Sequence, residues 1–234
     1  MRRLLANIKG DIFLQFKYGF YGVYAILVLF YILTLRFLAV KISAFLLPII
    51  IFSDPSLLGF YFIGGLILLE KDENTLDCLV ATPLRIREYL ISKMVSLTIL
   101  GLLASMIIVL FSYGTEFNYL LLISGIVLTS CFFVLIGFVA VARFNTINDY
   151  IFSSIIYMMI LNYPLFEYFG LYQSFLSYFS PTQASLLLIS GAFSGIEFWQ
   201  TIYGIAYLII AIIIVYHFAY KSFYKFIILK GGKR

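Results

Sequence analysis

Few side chains in this sequence could carry out covalent chemistry. His217 is the single histidine, and a buried nucleophile needs a base beside it, just as a metal needs several ligands. Pairing His217 with Ser194 of GAFSG would give a base and a nucleophile. The two flank one long apolar run, however, and at the usual helical rise they stand about 30 Å apart. HExxH, a second histidine and a two-aspartate signature are all missing. Cys78 and Cys131 sit in unrelated contexts and suit neither a disulfide framework nor a metal site. No G-x-x-x-x-G-K-[ST] run occurs, so the chain has no nucleotide cradle of that kind. The sequence therefore predicts a non-enzyme with no metal and no cofactor of its own. What remains is a set of isolated acids, Asp54, Asp149, Glu167 and Glu197, and one charged stretch at residues 70–93.

The elements that must position these residues are set by composition. Of 234 residues, 63% are apolar and 12% charged, and the mean hydropathy is +1.06. Soluble domains carry about a quarter of charged residues, so the solvent here is a bilayer. Lipid leaves backbone groups unsatisfied unless they pair internally, and the apolar runs are continuous instead of alternating, which predicts helices and excludes a barrel. Runs of about 20 residues are needed to cross, and six are found: Phe20 to Leu38, Ser43 to Leu69, Met94 to Phe111, Tyr119 to Ala142, Tyr150 to Phe169 and Phe198 to Tyr220. The second is long, and Pro48 with Ser53, Asp54 and Pro55 favours a break within it. Asp54 is then either a costly intramembrane carboxylate with a function, or it or Ser53 caps a helix whose first position is Pro55.

The net charge of +5 reports topology, not nucleic-acid binding. With the N-terminus inside, 14 of the 16 Lys and Arg residues fall on the inner side and only Arg36 and Lys41 outside. The positive-inside rule then predicts a multi-pass protein of the cell membrane with both termini cytoplasmic. Residues 1–17 place Leu5, Ile8, Ile12 and Phe16 on one stripe, the pattern of an interfacial helix. Residues 162–197 form a long outer connection whose apolar piece, Ala184 to Ile189, is too short to span and is expected to dip in and return or to lie at the surface. Without repeats or low-complexity tracts, residues 1–234 read as one membrane domain.

The stretch EKDENTLDCLVATPLRIREYLISK, residues 70–93, holds nine charged residues with leucines interleaved. Thr75, Leu76, Leu79 and Val80 share one helical side, flanked by Glu73 and Asp77. Thr82 and Pro83 end or redirect that helix, and a second can start after Pro83 with Arg85, Arg87 and Glu88 outward. Such a projecting amphipathic segment suits docking to a partner through apolar anchors with a charged rim; the alternative is a solvated loop whose leucines rest on lipid.

The run LLEKDENTLDCLVATPLRIREYLISK resembles the segment after the second span in membrane subunits of type-2 ATP-binding cassette (ABC) exporters, through Glu70, Glu73, Thr75, Leu76, Leu79, Thr82, Pro83, Glu88 and Lys93. Asn74 departs from the usual glycine. The architecture of the whole chain is similar, and FSDPSLLGFYFIGGLILLEKDENTLDCLVATPLRIREYL is most like small fluoroquinolone or multidrug export permeases. The resemblance implies that Glu70 to Glu88 form a coupling helix, with Arg85 and Arg87 on its rim, receiving force from a separate ATPase subunit that binds ATP and Mg. It also implies a second permease copy or a paralogue. With few charges inside the spans, a hydrophobic or amphipathic compound is the expected substrate, and Asp54, Tyr21, Tyr24, Phe60 and Tyr61 are the expected path. A six-span anchor that recruits a cytoplasmic partner without transport is the alternative.

Overall fold

The computed structural model describes residues 2–38, 40–73, 75, 85–171 and 175–225. Among them every regular element is helical. Helix α1 runs Arg2–Lys17, α2 Phe20–Phe37 and α3 Val40–Ser53; a π-helical segment, Asp54–Leu58, leads into α4, Gly59–Asp72. Then follow α5 Ile86–Ser112, α6 Tyr119–Val141, α7 Ile147–Leu161, α8 Pro164–Tyr168, a 3-10 turn Phe175–Phe179, α9 Pro181–Ser194 and α10 Phe198–Phe223.

Local chemistry sets where these helices begin. Asn118 accepts the Leu121 N–H at 3.1 Å to open α6, and Thr146 accepts the Asp149 N–H at 3.2 Å to open α7. Glu88 accepts the Arg85 N–H at 3.2 Å at the head of α5, and Gln200 does the same for Glu197, at 3.2 Å, before α10. Each satisfies one of the donors that a helix start leaves free.

Helix α6 is the hub, touching α3, the π segment, α4, α5, α7, α9 and α10. Its Phe132, Phe133, Val134, Leu135 and Phe138 are buried. Close approach of α4 requires glycine on both sides: a Cβ on Gly137 would stand 2.9 Å from the Phe60 carbonyl oxygen, and one on Gly64 would meet the Tyr150 ring. With that room, Tyr150 stacks on Phe60 at 5.5 Å and donates to its carbonyl at 2.7 Å.

Contacts sort the molecule into two ends. At one, α1 meets the C-terminal end of α4 and the start of α5, and Phe223 of α10 packs 4.9 Å from Tyr89. At the other, Arg36 donates to the Phe111 carbonyl, the Asn118 N–H to the Ala192 carbonyl and the Tyr168 hydroxyl to the Phe45 carbonyl. Helix α1 and the end of α10 thus share the end that carries residues 70–93.

Five helical stretches are long and apolar enough to cross a membrane: Phe20–Phe37, Phe45–Asp72, Ile86–Ser112, Tyr119–Val141 and Phe198–Phe223. The run expected as a fifth span, Tyr150 to Phe169, instead gives α7 of 15 residues, about 22 Å at 1.5 Å per residue, short of a hydrocarbon core of about 30 Å. It stops at Asn162, two residues ahead of Pro164, which starts the short helix α8. The expected break in the second span is also absent. Phe45–Asp72 is one helix of 28 residues; Pro55 lacks the N–H that would close an α-turn, and the chain widens into a π segment there without ending. Nor is the third span confined to Met94 to Phe111: α5 begins at Ile86 and carries Lys93 inside the helix.

Candidate functional site

Three elements converge at the roots of the charged stretch. On α1, Asp11 and Gln15 lie one turn apart and are both buried, whereas Leu5, Phe13 and Phe16 are exposed. The last turn of α4 brings Glu70, and the first turns of α5 bring Tyr89, Ser92, Lys93 and Ser96, all buried. The Lys93 ammonium lies between two carboxylates, donating to Asp11 Oδ1 at 2.9 Å and to Glu70 Oε1.

The second oxygen of each acid is also used. Tyr89 donates to Glu70 Oε2 at 2.5 Å and Ser92 to Asp11 Oδ2. Gln15 donates to Ser96 at 2.8 Å, and the Lys93 ammonium lies 4.9 Å from the Tyr89 ring centre. Charges taken out of water are tolerated only when opposite charge and hydrogen bonds surround them, and all four carboxylate oxygens here have a donor.

A second, exposed layer runs beside it. Glu73, just past α4, accepts from the Tyr18 hydroxyl at 2.7 Å and pairs with Lys17 at 3.8 Å. Burial first, then the Glu73 carboxylate, push the Tyr18 hydroxyl up to about 12, so it stays a donor near neutral pH. Thr75 donates to the Glu70 carbonyl at 2.9 Å, and Lys71 donates to the Phe144 carbonyl at 2.9 Å and to Asn145 at 3.0 Å. Both ends of residues 70–93 are thereby fastened to the helical body, one through α4 and one through α5, with α1 joining the two.

Of the residues expected to dock a partner, Glu73, Arg85 and Arg87 are exposed and Thr75 and Glu88 half-buried. Arg87 lies over the Tyr220 ring at 5.9 Å. Glu70 is buried and faces inward. Leu76, Leu79, Thr82 and Pro83 lie outside the described residues. The residues that sequence reasoning missed are Asp11, Gln15, Tyr89, Ser92 and Ser96. A signal existed: Asp11 and Gln15 are an i, i+4 polar pair on α1, and Tyr89, Ser92, Lys93 and Ser96 repeat at three and four residues on α5.

The expected path residues separate into two groups. Tyr21 and Tyr24 line an apolar groove of about 550 Å³ between α2 and α5, with Val28, Leu100 and Ala104 deeper in it and Leu103 and Phe111 towards the rim. Phe60 and Tyr61 lie elsewhere, against Tyr150 of α7. Asp54 is fully buried in the π segment. Neither it nor Ser53 caps: no N–H donates to an Asp54 oxygen, and Ser53 has helical geometry with no side-chain cap bond. Ser105 of α5 is its polar neighbour, yet both Asp54 oxygens and the Ser105 hydroxyl lack a hydrogen-bond partner. Among the described residues no group of His, Cys, Asp and Glu could hold a metal ion.

Five helical stretches long and apolar enough to cross a membrane, α6 among them as the hub, with one buried ionic cluster at the end that carries the charged stretch, define a multi-pass α-helical membrane protein. The chain belongs to the fluoroquinolones export permease protein family, whose model matches residues 2–231. It is similar to the fluoroquinolones export permease proteins of two Mycobacterium tuberculosis strains, CDC 1551 / Oshkosh and ATCC 25618 / H37Rv. Each is 28% identical over 235 residues, covering 99% of this chain and 99% of the relative.

Proposed function

We propose that this chain is the membrane subunit of an ATP-driven exporter of the ABC type, without hydrolytic activity of its own, moving a hydrophobic or amphipathic compound outward across the cell membrane. A separate ATPase subunit holds ATP and Mg and docks on residues 70–93 from the cytoplasm, where both termini also lie. A second permease copy, or a paralogue, completes the pathway. Helix α1 rests on the inner leaflet, with exposed Leu5, Phe13 and Phe16 towards lipid.

The observation that carries this reading is the Asp11–Lys93–Glu70 cluster. A flexible loop would absorb a push, whereas a segment whose two ends are held by buried ion pairs transmits it. Glu70 and Lys93 in this reading act on the inside of the protein, and the docking surface is left to Glu73, Arg85, Arg87 and the leucines. The relatives' printed activity, fluoroquinolone export, supports an amphipathic drug-like substrate.

The test is affinity purification of the tagged chain from its native membrane under mild extraction, with mass spectrometry and an ATPase assay. A stoichiometric subunit with Walker motifs is expected, and Leu76→Asp with Leu79→Asp should release it while membrane insertion stays normal, because apolar anchors carry most of such binding. Recovery of a partner without nucleotide-binding motifs would replace this reading with a membrane scaffold.

A further inference from the structure

Asp54 is the one acid among the described residues that is fully buried with neither oxygen engaged. The π segment that holds it packs against both α5 and α6. Ser105 of α5 and, at longer range, Tyr24 and Tyr31 of α2 interact with it, and none of the three carries positive charge. A carboxylate so placed is costly to ionise without a partner, and such a group inside a membrane has a function by default.

Two of these neighbours tie Asp54 to the groove between α2 and α5. Tyr24 is a groove residue, and Ser105 follows Ala104, another groove residue, along α5. Tyr24, Val28, Leu100 and Ala104 are buried and form the floor, while Leu29, Leu103, Ile107 and Phe111 are exposed along the rim. Asp54 does not itself line the trough; it is tied to the trough's apolar and aromatic floor by its interaction with Tyr24 and by the packing of the π segment on α5. An occupant drawn from lipid would find apolar walls, tyrosine rings whose faces attract cations, and one unpaired acid.

We infer that the α2/α5 groove and Asp54 form a binding site for an organic monocation, a protonated amine or other onium group on an apolar body, with the body in the trough and the positive group reaching past Tyr24 to the Asp54 carboxylate. The inference rests on the export reading and deepens it by naming the charge class of the compound. The bound cation supplies the partner that the fold withholds from Asp54, and Ser105 is placed to donate to the same carboxylate. An anion of equal size finds no donor set and meets an acid, so the site discriminates by charge as well as by shape.

The probe is tetraphenylphosphonium, with tetraphenylborate as an ion of the same shape and opposite charge. Binding of each to the purified full-length chain in a neutral detergent is measured by titration calorimetry, for the native sequence and for Asp54→Asn. The native chain should bind the phosphonium at least tenfold more tightly than the borate, and D54N should lose at least tenfold in phosphonium affinity while leaving the borate within twofold. Equal affinity of the native chain for the two ions overturns the inference without recourse to any variant, and so does unchanged phosphonium binding by a D54N chain that elutes as a single species. Because no ATPase subunit takes part, failure to find that partner leaves this result standing, and loss of charge preference leaves the export reading standing.

Discussion

Two buried acidic sites in one chain were treated in opposite ways. Asp11 and Glu70 share the Lys93 ammonium and have their remaining oxygens occupied by Ser92 and Tyr89, so their ionisation is compensated within the fold. Asp54, equally buried, is left with both oxygens empty beside Ser105. Nothing in residue type distinguishes the three acids; the distinction is the supply of donors. Where donors are complete, the charges serve as a fastening between α1, α4 and α5. Where they are withheld, the carboxylate remains available for something that arrives from outside.

That contrast can be broken first at its strongest point. Lys93→Met leaves two buried carboxylates without a counter-charge and is expected to destabilise by about 3–5 kcal/mol, seen as a large fall in the thermal unfolding midpoint in detergent. A K93M chain that melts like the native one would mean that the cluster is no fastening. Neutralising all three members, Asp11→Asn with Glu70→Gln and Lys93→Met, should recover about half of that loss, since no uncompensated charge remains. An effect no smaller than that of K93M alone would assign the stability to packing.

Tyr89→Phe removes one donor from Glu70 and should cost about 1–3 kcal/mol, again read by thermal unfolding. Asp54→Asn is expected to shift stability by less than about 1 kcal/mol, because no interaction within the fold is lost. Its effect should appear in uptake of a cationic compound into inverted vesicles, and a large stability loss would show that Asp54 belongs with the structural acids. The smallest change is expected of Tyr18→Phe, below about 1 kcal/mol, since its bond to Glu73 is exposed and water can replace it.

Much of the architecture was legible from local pattern. Long apolar runs became α2, α5, α6 and α10. Local pattern failed where a decision depended on a neighbour. Pro55 reads as a break, but packing of the π segment on α5 and α6 holds the helix together through it. Lys93 reads as the last residue of the charged stretch, just ahead of the third span; it is buried inside α5, because Asp11, 82 residues away, meets it.

By itself, the sequence determined that the chain is helical, that it crosses a membrane several times and that its charge is concentrated at one end, since hydropathy and helix length follow from residues close in the chain. Only the tertiary structure decided which acids are paired and which is left alone. Whether a buried carboxylate finds a donor depends on the side chains that neighbouring helices present at its depth, and those come from distant parts of the chain.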